Sequence, residues 1–240
     1  MGGATFLSFF IRHVKGAFSK MHLKEIKLYT AHLQELFYFY HETLGLECEL
    51  IGNELQIRTR DSLLKFEKST SNDDPYYHFA FNIPSNKIEE AYTWLKERVK
   101  LLWIEDYKSF IADFSGWHAK SLYFIDSGGN IVEFISRFDL DDITEESFSA
   151  ALIRNVSEIG LVFPGSFYNE KVNQFLSTWN LSYFIKQKPL AEFRVIGDDE
   201  GLFICVPEQR SWYPLKDKPA FIFPMELQVK TLSKEFLLQC

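Results

Sequence analysis

Hydrophobic and polar positions change period several times along this chain, and the changes recur in the same order. Residues 23–29 alternate, with Ile26 and Leu28 on one face and Glu25, Lys27 and Tyr29 on the other, which predicts a half-buried strand. Leu33, Phe37, Tyr40 and Leu44 then recur at helical spacing, and Gly45 is placed to end that helix in a left-handed conformation. Three short strands follow at 46–51, 55–59 and 63–67, broken by Gly52-Asn53 and by Arg60-Asp61-Ser62.

The order restarts at 76–82. There His78, Ala80 and Asn82 share one face of a strand, and Phe79, Phe81 and Ile83 share the other, so one face can pack a core while the other lines a site. A second helix carries Ile88, Ala91, Tyr92 and Leu95, with Asn86 and Glu89 as its capping pair. A strand within 103–113 and clearer strands at 121–125 and 131–135 complete the unit; the last two are joined through Asp126-Ser127-Gly128-Gly129-Asn130. A third, weaker copy begins at Glu158-Ile159-Gly160-Leu161, an echo of Glu25-Ile26-Lys27-Leu28. Its helical stripe, Val172, Phe175, Leu176 and Trp179, ends at Asn180-Leu181, where the first copy has Gly45-Leu46. Strands at 193–196, 202–206 and 221–229 follow.

These patterns predict an α+β fold built from repeated strand–helix–three-strand modules. The expected divisions are an extension over 1–20, a domain over 21–138 with modules 21–70 and 75–137, an acidic linker over 139–150, and a partial, degenerate domain over 151–240. The extension has its positive charges after its apolar piece, the reverse of a signal peptide, and that piece is too short to span a bilayer.

Composition narrows the function. With 26 Lys and Arg against 33 Asp and Glu, interspersed, the net charge of -7 argues against binding a phosphate backbone. The 3 cysteines are scattered, so neither a zinc knuckle nor a disulfide framework is expected, and the cytoplasm is the expected compartment. No nucleophile elbow, phosphate-binding glycine loop or dinucleotide fingerprint occurs.

Between residues 22 and 137 the chain resembles the vicinal oxygen chelate superfamily of glyoxalases, extradiol dioxygenases and bleomycin-binding proteins. The resemblance is carried by Glu25-Ile26-Lys27-Leu28, by Phe39-Tyr40 through Leu44-Gly45-Leu46, by His78-Phe79-Ala80-Phe81, and by Tyr123-Phe124 through Asp126 to Glu133-Phe134. It implies that the modules pair into a curved, cavity-lining mixed sheet with helices outside, and that a divalent metal is held by Glu25, His78 and Glu133, with Glu25 standing where relatives usually have His. Two carboxylates and one imidazole favour Mn²⁺, Zn²⁺ or Mg²⁺ over Fe²⁺. The fourth ligand place falls at Lys65, which shares a face with Glu25 and can pair with it instead.

Glu133 and His118 are the candidate acid–base groups; Tyr29, Arg58, Lys65, Trp117 and Tyr123 are the candidate substrate contacts. The implied activity is that of a metal-dependent isomerase, lyase or, less readily, dioxygenase acting on a small oxygen-bearing molecule. The alternative is a metal-free protein that sequesters a small ligand. No histidine follows His118, so the C-terminal part is expected to cover a sheet edge or form a homodimer interface, with Glu158 a relic or a salt-bridge residue.

Overall fold

The computed structural model describes residues 20–71 and 73–239; the remainder of the expected N-terminal extension lies outside the described residues. The first unit is β1 (His22–Thr30), α1 (Leu33–Tyr38), β2 (Glu47–Ile51), β3 (Glu54–Arg58) and β4 (Leu63–Lys68). The second is β5 (His78–Ile83), α2 (Ile88–Lys96), β6 (Ile111–Phe114), β7 (Ala119–Ile125) and β8 (Ile131–Arg137). The third is β9 (Asn155–Phe163), α3 (Tyr168–Trp179), β10 (Arg194–Asp198) and β11 (Gly201–Pro207), followed by a hairpin of β12 (Glu226–Lys230) and β13 (Glu235–Gln239).

Local chemistry sets the element ends. Gly45 adopts φ +70° and Asn180 φ +46°, the left-handed exits expected after the first and third helices. Helix α1 continues as a π turn over Phe39–Thr43, so Leu36, Tyr40 and Leu44 become its buried stripe, and Leu33 and Phe37 are only partly covered. The expected Asn86 cap differs too: Asn86 bonds the backbone of Thr144, and α2 instead starts after Lys87, whose ammonium pairs with Glu90 at 2.7 Å.

The strands form two mixed sheets. One has the order β13-β12-β1-β4-β3-β2, the other β10-β11-β9-β5-β8-β7-β6. The second unit therefore pairs with the third, through antiparallel β5 and β9, and the first pairs with the C-terminal hairpin, through antiparallel β1 and β12. The expected pairing of the first unit with the second does not occur, because each first strand already has its free edge filled by a strand from the C-terminal part. The aromatic faces of the two sheets meet in one core: Phe66 of β4 lies 6.3 Å from Phe79 of β5, ring centre to ring centre, and Phe79, Phe81 and Phe134 form an edge-to-face series. The buried residues of all three helices join this core, which leaves the opposite face of β5, β8, β9 and β11 to line a cavity.

Candidate metal and substrate site

Strand parity aims the site. In β5, Phe79 and Phe81 enter the core and His78 points to the cavity, as the alternation requires. In β9 a bulge at Ser157 intervenes: Ala80 faces Glu158 and Phe81 faces Val156, so Val156 and Ile159 both reach the core while Glu158 turns to the cavity. Glu133 of β8 lies beside Ala80 in the parallel pair, two residues past His78.

That register recurs in the other units. Two residues past Glu158, Gly160 faces Ile204; two residues past Glu25, Lys27 faces Lys65. The four first-strand and last-strand places around the cavity are thus His78, Glu133, Glu158 and Ile204. Three offer donor atoms, and the ligand atoms of His78, Glu133 and Glu158 all lie within 4.8 Å of one another.

Each member is buried and held. The His78 Nδ1 is 3.1 Å from the Ile131 carbonyl, which can only accept; the proton therefore sits on Nδ1, and the Nε2 lone pair faces the Glu133 Oε2 at 3.6 Å. Burial pushes the His78 pKa down to about 4, so the ring is neutral at physiological pH. Burial, and then the charge of Glu158, push Glu133 up to about 8. Burial also raises Glu158, against the opposing pull of the Arg137 guanidinium, with which it forms an ion pair. Arg137 is itself fully buried, with its Nε 3.2 Å from the Asn82 Oδ1 and a further contact to Asp199 at 3.5 Å.

A neutral imidazole with a free nitrogen and two carboxylates in close reach fits a divalent cation of the oxygen-preferring kind. The fourth place, Ile204, lines the cavity and gives no donor. This space is about 240 Å³ and is walled by Phe114, Trp117, Tyr123, Phe193, Trp212 and Tyr213, with Arg210 among them.

Of the residues singled out in the sequence, His78, Glu133, Trp117 and Tyr123 come together in this cavity. Glu25 does not: it lies on the other sheet, where its Oε1 is 2.7 Å from the Lys65 ammonium. Tyr29 is on that sheet as well, bonded to Glu226, and Arg58 is exposed near Glu47. His118 is exposed, in a left-handed turn at φ +50°, and pairs with Asp139 at 3.2 Å. Sequence reasoning missed Glu158 as a cluster member, and it missed Arg137, Arg210, Trp212 and Tyr213. The echo of Glu25-Ile26 in Glu158-Ile159 was the one signal available for any of them.

No protein-family model matches the chain, and no curated protein sequence does. Solved structures do. A Bacillus subtilis protein described as a candidate dioxygenase aligns at 14% identity with a TM-score of 0.55, covering 79% of this chain and 64% of its own, so the match spans less than two thirds of that protein. A lactoylglutathione lyase from Agrobacterium tumefaciens aligns over 47% of this chain and 90% of its own, at 19% identity and TM-score 0.38. A glyoxalase/bleomycin resistance protein/dioxygenase from Nocardioides aligns over 52% and 88%, at 18% identity and TM-score 0.40. With its repeated units, its curled mixed sheets and this likeness, the chain has the fold of the vicinal oxygen chelate superfamily.

Proposed function

We propose that the chain is a metal-dependent enzyme of the glyoxalase and dioxygenase type, acting on a small oxygen-bearing molecule, with His78, Glu133 and Glu158 holding the metal. The observation that carries this reading is the convergence of those three buried donors on one wall of an aromatic cavity. A bound divalent cation would supply Lewis-acid stabilisation of negative charge developing on a substrate oxygen.

The chain's own residues do the rest. His78, fixed by Ile131, presents an unprotonated nitrogen without needing to lose a proton. Glu133 would have to give up its proton to hold a cation, and a carboxylate at that place would be available to take a proton from substrate. Arg137 stiffens Glu158 from behind, and the aromatic wall excludes water. The donor set favours Mn²⁺, Zn²⁺ or Mg²⁺ and isomerase or lyase chemistry over ring cleavage by iron. His118 has no part in this proposal, since its side chain is exposed and paired with Asp139. A cytoplasmic setting belongs to the same proposal and rests on the scattered cysteines. Among the described residues no helix is long and apolar enough to cross a membrane.

A second reading, a metal-free small-molecule binder, is favoured by one observation. Arg137 already neutralises Glu158, and Glu133 keeps its proton, so the cluster is stable with no cation in it. Metal analysis of protein purified without chelator separates the two. Near-stoichiometric Mn, Zn or Mg that falls away in H78A and E158Q, and stays in E25Q, supports the enzyme. Metal-free protein that still binds aromatic ligands refutes it in favour of the second reading, and metal retained in both H78A and E158Q places the ion elsewhere.

A further inference from the structure

Arg210 follows a residue in the left-handed region, Gln209 at φ +72°, in the loop after β11, and its side chain lines the cavity wall. Among the described lining residues it is the one permanent cation. Its guanidinium lies 5.2 Å from the centre of the Phe193 ring and donates to the Ser211 carbonyl at 3.3 Å. Glu192 is the acidic group that acts on it, but the two form no ion pair, and most of the five donors of Arg210 are left without a protein partner. Burial lowers the Arg210 pKa, and the charge of Glu192 offsets this only in part. Elsewhere in the cavity lining, the Tyr213 hydroxyl is buried with no hydrogen-bond partner.

The rest of the cavity says what shape meets that charge. Its walls are aromatic, and 240 Å³ exceeds the roughly 150 Å³ of an apolar cavity that accepts benzene. An anionic group on the ligand would be repelled by the carboxylates of Glu133 and Glu158 once these are ionised, and attracted by Arg210. The planar fork of a guanidinium matches a carboxylate in two parallel hydrogen bonds.

We propose that the cavity takes a single-ring aromatic compound bearing a carboxylate, with the ring among the aromatic walls and the carboxylate paired to Arg210. This rests on the reading of the cavity as a substrate site, and it gives Arg210 a substrate contact of the kind the sequence suggested for Arg58.

The test uses phenylacetate and its uncharged isostere phenylacetamide, titrated by calorimetry into the full chain after chelator treatment and again with Mn²⁺ restored. Emission from Trp117 and Trp212 gives a second readout. In chelator-treated protein, phenylacetate should bind at least tenfold more tightly than the amide. R210M should bring the ratio near one, with R210Q as the second variant should R210M fail to fold, and R210K should keep part of the preference. Equal affinity for both compounds, no binding of either, or a preference that survives R210M and R210Q overturns the proposal. A preference seen only with Mn²⁺ and untouched by R210M also overturns it while leaving the metal site standing. An Arg210-dependent preference in protein that never takes up metal upholds it while the enzyme reading falls.

Discussion

Replacing Arg137 by methionine tests how the buried cluster is balanced. The Arg137 side chain is fully buried and Glu158 is 3% exposed, so neither charge can turn to water if the other is lost. Asp199 keeps a partner in Lys186 at 2.7 Å, which concentrates the loss on Glu158. Removing one member of a buried pair costs about 3–5 kcal/mol, whereas replacing both by uncharged groups of similar volume is often close to neutral. R137M should therefore lose ~3–5 kcal/mol, and R137M/E158Q should recover most of it.

Glu158 has one escape, which is to take a proton. Its folded pKa, already raised by burial, rises further without the guanidinium, so its contribution is intact below the unfolded value of 4.5 and is lost as pH climbs through the folded one. The R137M penalty should accordingly be larger at pH 8 than at pH 6, by at most about 1.4 kcal/mol per pH unit. Equilibrium urea unfolding of chelator-treated protein measures all of this. A single-variant cost below about 1 kcal/mol, or a double variant equal to the sum of the two singles, would refute the assignment of Arg137 as the counter-charge of Glu158.

Two further outcomes follow from the same wall. An added Cβ at Gly160 would sit 2.4 Å from Cη2 of Trp212, a side chain only 3% exposed, so G160A should cost about 1–3 kcal/mol and shift tryptophan emission; unchanged stability and emission would count against that packing. In metal-free protein, Glu133 costs stability as pH rises from 4.5 toward about 8, whereas His78 costs stability as pH falls from 6.5 toward about 4. The two oppose each other between 4.5 and 6.5, so a Glu133-dependent decline should appear from pH 6.5 to 8 and flatten in E133Q. An unaltered slope in E133Q would show that another group titrates there.

Local elements were legible where a local cause exists. Gly45 and Asn180 ended helices because a left-handed exit needs residues of that type, and the alternation around His78 named the cavity face before any neighbour was known. Pairing between units was not legible, since every first strand carries the same alternation and nothing within it says whose edge it will meet. Glu25 and Glu158 show the consequence: the same Glu-Ile beginning sits beside Lys65 in one sheet and beside His78 and Glu133 in the other. The lack of histidine after His118 made the third unit look idle. That unit nevertheless brings the Glu158 carboxylate beside His78 and Glu133 of the second unit. Arg210, in a loop after a strand, had no periodic signal to mark it.

The pairing of β1 with β12 gives the chain a nested order, in which the second and third units close between two partners that lie near opposite ends of the described sequence. During synthesis the inner pair can assemble as soon as β11 has emerged, while β1 must wait for the last hairpin with its edge unprotected. That wait is long in sequence separation, so the outer sheet should be the slow and aggregation-exposed part of folding, and the cavity the part that is finished first.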